Sequence, residues 1–278
     1  MVDGSFRVLA SGIGFTEGPV VLPNGELMVT SMSRGLLYRI DPAGGVISSV
    51  DVGGGPNGLA VRDDGAVVVA QNGGASFRSR SERPVRPGLQ VVTGDDVVDE
   101  VTSGCLAPND LVFAPDGSLW FTDPGHPSDP DFAPRVTRRD ASTGELSTVV
   151  TDVRFPNGLA FGPDGAFYVA DSHTHEILRY EVGPHGASDR SVFGAVDGGG
   201  PDGIVFDAHG NLYVAAFDTN DVVVLGPDGG VARRLPMGDG SRPTNLCFAG
   251  PDLGTLVVTL ASGGRVVALD EHFEGALP

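Results

Sequence analysis

The chain has 278 residues, 36 of them acidic and 18 basic, for a formal charge of −18, and all 18 basic residues are arginines. Such an acidic field repels a phosphate backbone and argues against nucleic acid as a partner. The lack of lysine excludes Schiff-base chemistry and P-loop phosphate binding.

In chain order, the first predicted element is FRVLA (residues 6–10), an apolar strand with no repeat of its own. A unit then recurs six times, visible as TEGPVVLPNG, PNGLAVRDDG, PNDLVFAPDG, PNGLAFGPDG, PDGIVFDAHG and PTNLCFAGPDLG. Each opens with a polar side chain in the same register: Glu17, Asn57, Asn109, Asn157, Asp202 and Thr244. In the first five a glycine follows eight positions later, and the sixth carries two extra residues before Gly254. The gaps between polar positions are 40, 52, 48, 45 and 42 residues. A period of that size, with strand–turn–strand content and almost no helical pattern, predicts a β-propeller. Residues 1–278 are read as a single all-β, six-bladed propeller domain.

The fourth unit shows the grammar. NGLAF (157–161) is a strand, GPDG (162–165) a turn, AFYVA (166–170) a second strand and DSHTH (171–175) a polar loop. EILRYEV is a third strand and SDRSVFGAV contains the fourth. Pro-Asp-Gly and its relatives are turn sequences in which glycine supplies positive φ. The last unit ends on its third strand, GRVVALD (264–270), so FRVLA is expected to supply the missing outer strand and close the ring. Two units carry long insertions after their second strand, QNGGASFRSRSERPVRPG (71–88) and DPGHPSDPDFAPR (123–135). Strand two returns to the face where the polar residues begin, so both loops are expected to border one mouth.

Radial symmetry places the six polar side chains around one axis. All are oxygen donors, which favours Ca²⁺, Mg²⁺ or Mn²⁺ over soft-metal chemistry. Glu17 and Asp202 balance a divalent charge, and without one they repel each other. Cys105 and Cys247 fit neither a metal spacing nor a disulfide framework and are read as spare thiols. The N-terminus lacks a leader pattern and no apolar run is long enough to span a membrane, so a cytoplasmic protein without a membrane partner is expected. GGGPNG (53–58) and GGGPDG (198–203) each precede a strand, so neither is a dinucleotide fingerprint. No nucleophile elbow or zincin motif is present.

TEGP at 16–19, PNDLVFAPDGSLWFTDP at 108–124, FPNGLAFGPDGAFYVADS at 155–172, PDGIVFDAHGNLYVA at 201–215 and PTNLCFAGPDLGTLVVT at 243–259 resemble the gluconolactonase/regucalcin family. The resemblance spans essentially the whole chain. It implies a six-bladed propeller with one divalent cation in its channel, Ca²⁺ first, with Mg²⁺, Mn²⁺ or Zn²⁺ as alternatives. Carried over by position, Glu17, Asn157 and Asp202 match metal ligands. Asn109 matches a residue that ligates the metal or contacts substrate, and Asn57 and Thr244 match variable pocket positions. Ala107 departs from the animal sugar-lactonase branch, which has a sugar-holding arginine there. Asp123 fits the bacterial pattern and either receives substrate hydroxyls or forms a turn before Pro124.

The implied reaction is hydrolysis of a small lactone, with Asp202 activating the water and Glu17 mainly a ligand. His173 and His175, on the mouth after the second strand of the fourth unit, either relay protons or are solvated rim residues. His126 in the second insertion carries the same two readings, and Arg78, Arg80, Arg83 and Arg86 in the first either bind a substrate carboxylate or hydroxyls or form a charge cluster on a mobile loop. Two alternatives share the scaffold: phosphotriester or fluorophosphate hydrolysis, and a non-catalytic binding platform with a structural Ca²⁺. A monomer or small homo-oligomer is expected.

Overall fold

The computed structural model describes residues 6–75, 79–101, 103–126, 133–183 and 186–276. Among them there is no helix, and the strands form six four-stranded antiparallel sheets. Blade 1 comprises Thr16–Val21, Leu27–Ser31, Leu36–Ile40 and Val46–Asp51; blade 2, Pro56–Val61, Val67–Gln71, Gly88–Thr93 and Asp96–Val101. Blade 3 comprises Leu111–Phe113, Leu119–Asp123, Arg135–Arg139 and Leu146–Val150; blade 4, Pro156–Phe161, Phe167–Asp171, Glu176–Gly183 and Gly186–Ala195. Blade 5 comprises Pro201–Phe206, Leu212–Ala216, Asp221–Leu225 and Val231–Pro236. Blade 6 takes Pro243–Ala249, Thr255–Leu260 and Arg265–Leu269 from the end of the chain and Phe6–Ala10 from its beginning. The first strands of consecutive blades touch one another all the way round, making a six-bladed propeller.

Turn chemistry sets the spacing of each blade. Asp64, Asp116 and Asp164 each accept a hydrogen bond from the backbone N–H two residues on, at 3.0, 2.9 and 3.1 Å. This Asx geometry fixes the turn between strands one and two. The intervening Gly65, Gly117 and Gly165 have φ of 81°, 78° and 78°, a region that side-chain-bearing residues seldom adopt.

The apolar runs of the second strands are buried on both faces, because every blade is packed between two others. Six hydrophobic clusters result, one between each pair of neighbouring blades. Alternation divides each strand between two of them: Leu119 and Phe121 face blade 2, whereas Trp120 faces blade 4 and packs on Phe167, ring centroids 4.8 Å apart.

Closure follows the predicted pairing. Phe6 lies opposite Leu269, Arg7 opposite Ala268 and Val8 opposite Val267. Sequence reading did not foresee a second tie. Residues 271–275 run under blades 5 and 6, where the N–H groups of Phe273 and Gly275 donate to the carbonyls of Gly254 and Leu253. Phe273 inserts against Tyr213 and Phe248. The two extra residues of the sixth repeat build this seat.

Candidate metal and substrate site

Five of the six ring positions share a local irregularity. In blades 1, 2, 4, 5 and 6 the pairing of strand one with strand two slips beside the ring residue, so that one extra residue is accommodated there. Such a bulge bends the strand and re-aims its side chains. In blade 3 the ladder is assigned only from Leu111, but the Asn109 N–H still donates to the Thr122 carbonyl at 2.9 Å.

The residue after each ring position completes the design. Four of these are glycines that let adjacent blades meet: a Cβ on Gly18 would lie 2.4 Å from the Asn57 carbonyl, and one on Gly158 2.4 Å from the Asp202 carbonyl. In blades 3 and 6, which face each other across the ring, the same place holds Asp110 and Asn245. Asn245 Nδ2 donates to Asp110 Oδ2 at 3.2 Å, a bond that crosses the axis. The support on the two sides is identical. The N–H of Asp110 donates to Thr122 Oγ1 and that of Asn245 to Thr259 Oγ1, both at 3.0 Å.

Three carboxylates therefore converge: Glu17 is 4 % exposed and Asp110 and Asp202 are each 8 % exposed. Burial, then the charges of Asp202 and Asp110, raise the Glu17 pKa well above the usual carboxylate range. Burial and the Asp110 charge raise that of Asp202. Burial pushes Asp110 up to about 6. No basic side chain is among the influences on any of them.

The amides around them are half committed. Asn157 Nδ2 donates to Ser172 Oγ at 3.1 Å, and Ser172 Oγ donates to the Pro201 carbonyl at 2.6 Å, so the amide is oriented and its oxygen left over. Asn57 Oδ1 is buried without a hydrogen-bond partner. Asn109 is half-buried. Among the described residues no group of three or more His, Cys, Asp or Glu side chains could hold a metal ion by itself, so a cation here has to draw amide oxygens as well. Uncompensated buried acids, oriented amide oxygens and an orphaned acceptor fit a hard divalent cation.

Two residues expected to contact substrate have their polar atoms engaged within the protein. Asp123 is fully buried; its oxygens accept the N–H groups of Leu106 (3.0 Å) and Ala107 (2.7 Å) and pair with Arg135 at 2.9 Å. It anchors the loop ahead of Asn109. Asp171 does the same in blade 4, accepting from the N–H groups of Arg154 and Phe155. Thr244 is also fully buried, its hydroxyl donating to the Thr16 carbonyl at 2.8 Å, so it joins blades 6 and 1.

His173 is exposed on the mouth loop of blade 4, with His175 half-buried beside it. Cys105 and Cys247 are both free thiols, pushed up to about 12 by burial. The blade 2 insertion is docked on blade 1. Arg80 N–H donates to the Ser33 carbonyl, Ser81 Oγ to Asp51, and an Arg83 guanidinium nitrogen to the Asp51 carbonyl. A cavity of about 330 Å³ lies beside it, lined by Arg86, Gln90 and Asp99 but by no ring residue. Arg78 and residues 127–132 of the blade 3 insertion lie outside the described residues.

Asp110 was missed in the sequence, although the signal was there. PNDL stands where three other repeats have Asn-Gly or Asp-Gly, and PTNL departs in the same place.

Three comparisons bear on this arrangement. The sequence pattern of the SMP-30/Gluconolactonase/LRE-like region matches residues 15–262. The chain is 30% identical to a diisopropyl-fluorophosphatase of Loligo vulgaris, over 93% of this chain and 90% of that one. It is 29% identical to a pentonolactonase of Haloferax volcanii, over 92% and 85% of the two chains. The structure superposes on a gluconolactonase from Xanthomonas campestris with a TM-score of 0.78 at 26% identity, covering 96% of this chain and 90% of the other.

Proposed function

Because this chain belongs to the SMP-30/gluconolactonase/LRE-like family, we propose that it opens a small lactone by hydrolysis with the help of one divalent cation, Ca²⁺ by preference. The observation that carries the reading is the trio of buried acids, Glu17, Asp110 and Asp202, with no basic partner at the centre of the ring.

A cation bound there supplies Lewis acidity, polarising the lactone carbonyl as negative charge develops on its oxygen. The chain's own residues do the rest. Glu17 and Asp202 supply charge to hold the ion, and Asn157 and Asn109 turn amide oxygens toward it. Asp202 takes the proton of the attacking water on one of its carboxylate oxygens. Asn57, with its unused Oδ1, contacts the substrate, and His173 borders the mouth through which it enters.

Metal analysis of the purified protein, followed by lactone hydrolysis before chelation, after it, and after Ca²⁺ is returned, tests the proposal. Turnover is expected to vanish with the ion and come back with it. Full activity in cation-free protein would refute it.

The similarity to a diisopropyl-fluorophosphatase supports a second reading, hydrolysis of phosphotriesters or fluorophosphates by the same groups. Assaying both substrate classes on one preparation separates the two: the class with the higher kcat/KM is the function.

A further inference from the structure

Phe15, Phe217 and Arg242 form a feature that the hydrolytic reading does not use. Phe15 stands two residues before Glu17. Phe217 follows the second strand of blade 5, and its N–H donates to the carbonyl of Gly200, two residues before Asp202. The two rings stack with centroids 6.5 Å apart and planes at 27°. Phe15 belongs to blade 1 and Phe217 to blade 5, so the pair reaches past the entrance of blade 6, which lies between them. The guanidinium carbon of Arg242, in that entrance, sits 5.4 Å from the centre of the Phe217 ring.

Arg242 is exposed and has no carboxylate within ion-pairing distance among the described residues. Among the described residues, the other guanidinium held on an aromatic face, that of Arg179 on Tyr168, is neutralised by Asp164 and Glu181. The Arg242 backbone has φ of 54°, costly for a long side chain. It is held there from both sides: its N–H donates to Asn220 Oδ1 at 3.1 Å and its carbonyl accepts from Ala261 at 2.9 Å. A strained, aromatic-backed guanidinium without an ion-pair partner among the described residues, at the entrance of blade 6, is preorganised to receive an oxyanion.

We propose that this wall selects substrates bearing an oxyanion group, carboxylate or phosphate, at a distance from the scissile ester. Phe217 holds the guanidinium in place, and Arg242 takes the anion in a bidentate grip. The inference deepens the lactonase reading and rests on it.

The test compares one lactone ring in three forms, neutral, carboxylated and phosphorylated, in the native protein and in Arg242→Asn and Arg242→Lys. Asparagine tolerates positive φ, so Arg242→Asn is expected to fold with an unchanged or higher melting temperature. The native protein is expected to favour an anionic form, and the carboxylated and phosphorylated arms identify which. Arg242→Asn is expected to cut that preference about tenfold to a hundredfold, mainly through KM, with Arg242→Lys recovering part of it. Equal losses on the neutral and anionic lactones, or a native preference for the neutral one, would overturn the proposal. Calorimetric binding of the matching lactams keeps the two ideas apart. Arg242-dependent binding of an anionic lactam without any lactone turnover would strike the lactonase reading alone. Equal affinity for anionic and neutral lactams would strike the receptor.

Discussion

Asn245 and Asp110, 135 residues apart in the chain and on opposite blades, share a hydrogen bond of 3.2 Å through the centre of the propeller. Neither can reorient freely, because Asn245 Oδ1 accepts from the Leu246 N–H at 2.8 Å and Asp110 Oδ1 from the Leu111 N–H at 2.9 Å. The pair fills the space that glycine leaves open in the other blades.

Replacing Asn245 with Asp is therefore expected to set two buried carboxylates against each other. Asn245→Asp loses about 2–3 kcal/mol at pH 8, recovered below pH 5 or with saturating Ca²⁺. Denaturant titrations at the two pH values, with and without Ca²⁺, read this directly. A variant as stable as the native protein at pH 8 without Ca²⁺ would contradict the geometry.

Cation-free protein is expected to show an inverted pH profile. The folded pKa values of Glu17, Asp110 and Asp202 all lie above their unfolded values. Between the two, the folded state holds more protons, so stability is full below the unfolded pKa near 4 and is lost as pH rises through the folded one. For Asp110, at about 6, the loss is about 3 kcal/mol once ionisation is complete. Urea unfolding in chelator from pH 4.5 to 8 checks the sign; stability that rises with pH across that range would refute it.

Calcium should reverse that profile at neutral pH. A ligand at a hundred times its Kd adds about 2.7 kcal/mol to the folded state. Glu17→Gln and Asp202→Asn each remove one uncompensated buried charge. They are expected to leave the cation-free protein no less stable while shrinking the Ca²⁺-induced rise in Tm and abolishing hydrolysis. A full Ca²⁺ response in both variants would place the ion elsewhere.

Asp123 gives a contrasting outcome. Asp123→Ala leaves the Leu106 and Ala107 N–H groups and Arg135 without their acceptor, at a cost of about 3–5 kcal/mol. Because it touches structure and not substrate, KM per folded molecule is expected to stay near the native value. A raised KM at unchanged Tm would restore Asp123 to substrate binding.

The architecture was legible because the repeat register is written in local chemistry: a polar residue, an Asx turn and a positive-φ glycine at fixed offsets. Closure was legible because FRVLA had no repeat of its own and the last repeat lacked a strand. The centre was harder. Sequence spacing located Glu17 and Asp202 but not the bulges that turn the first strands, which arise from packing between neighbours. It placed Thr244 among the pocket positions and left Asp123 between substrate contact and a turn, and only burial shows their hydrogen bonds spent on holding blades and loops. Asp110 was hidden because the asparagine before it holds the ring register.

Blade 6 has a temporal consequence. Its outermost strand is made among the first ten residues, whereas its partner strand ends at Leu269. During synthesis the apolar flanks of blades 1 and 5 stay uncovered until the strand ending at Leu269 has emerged, so the circle is sealed last and the half-built ring is open to misassembly until then.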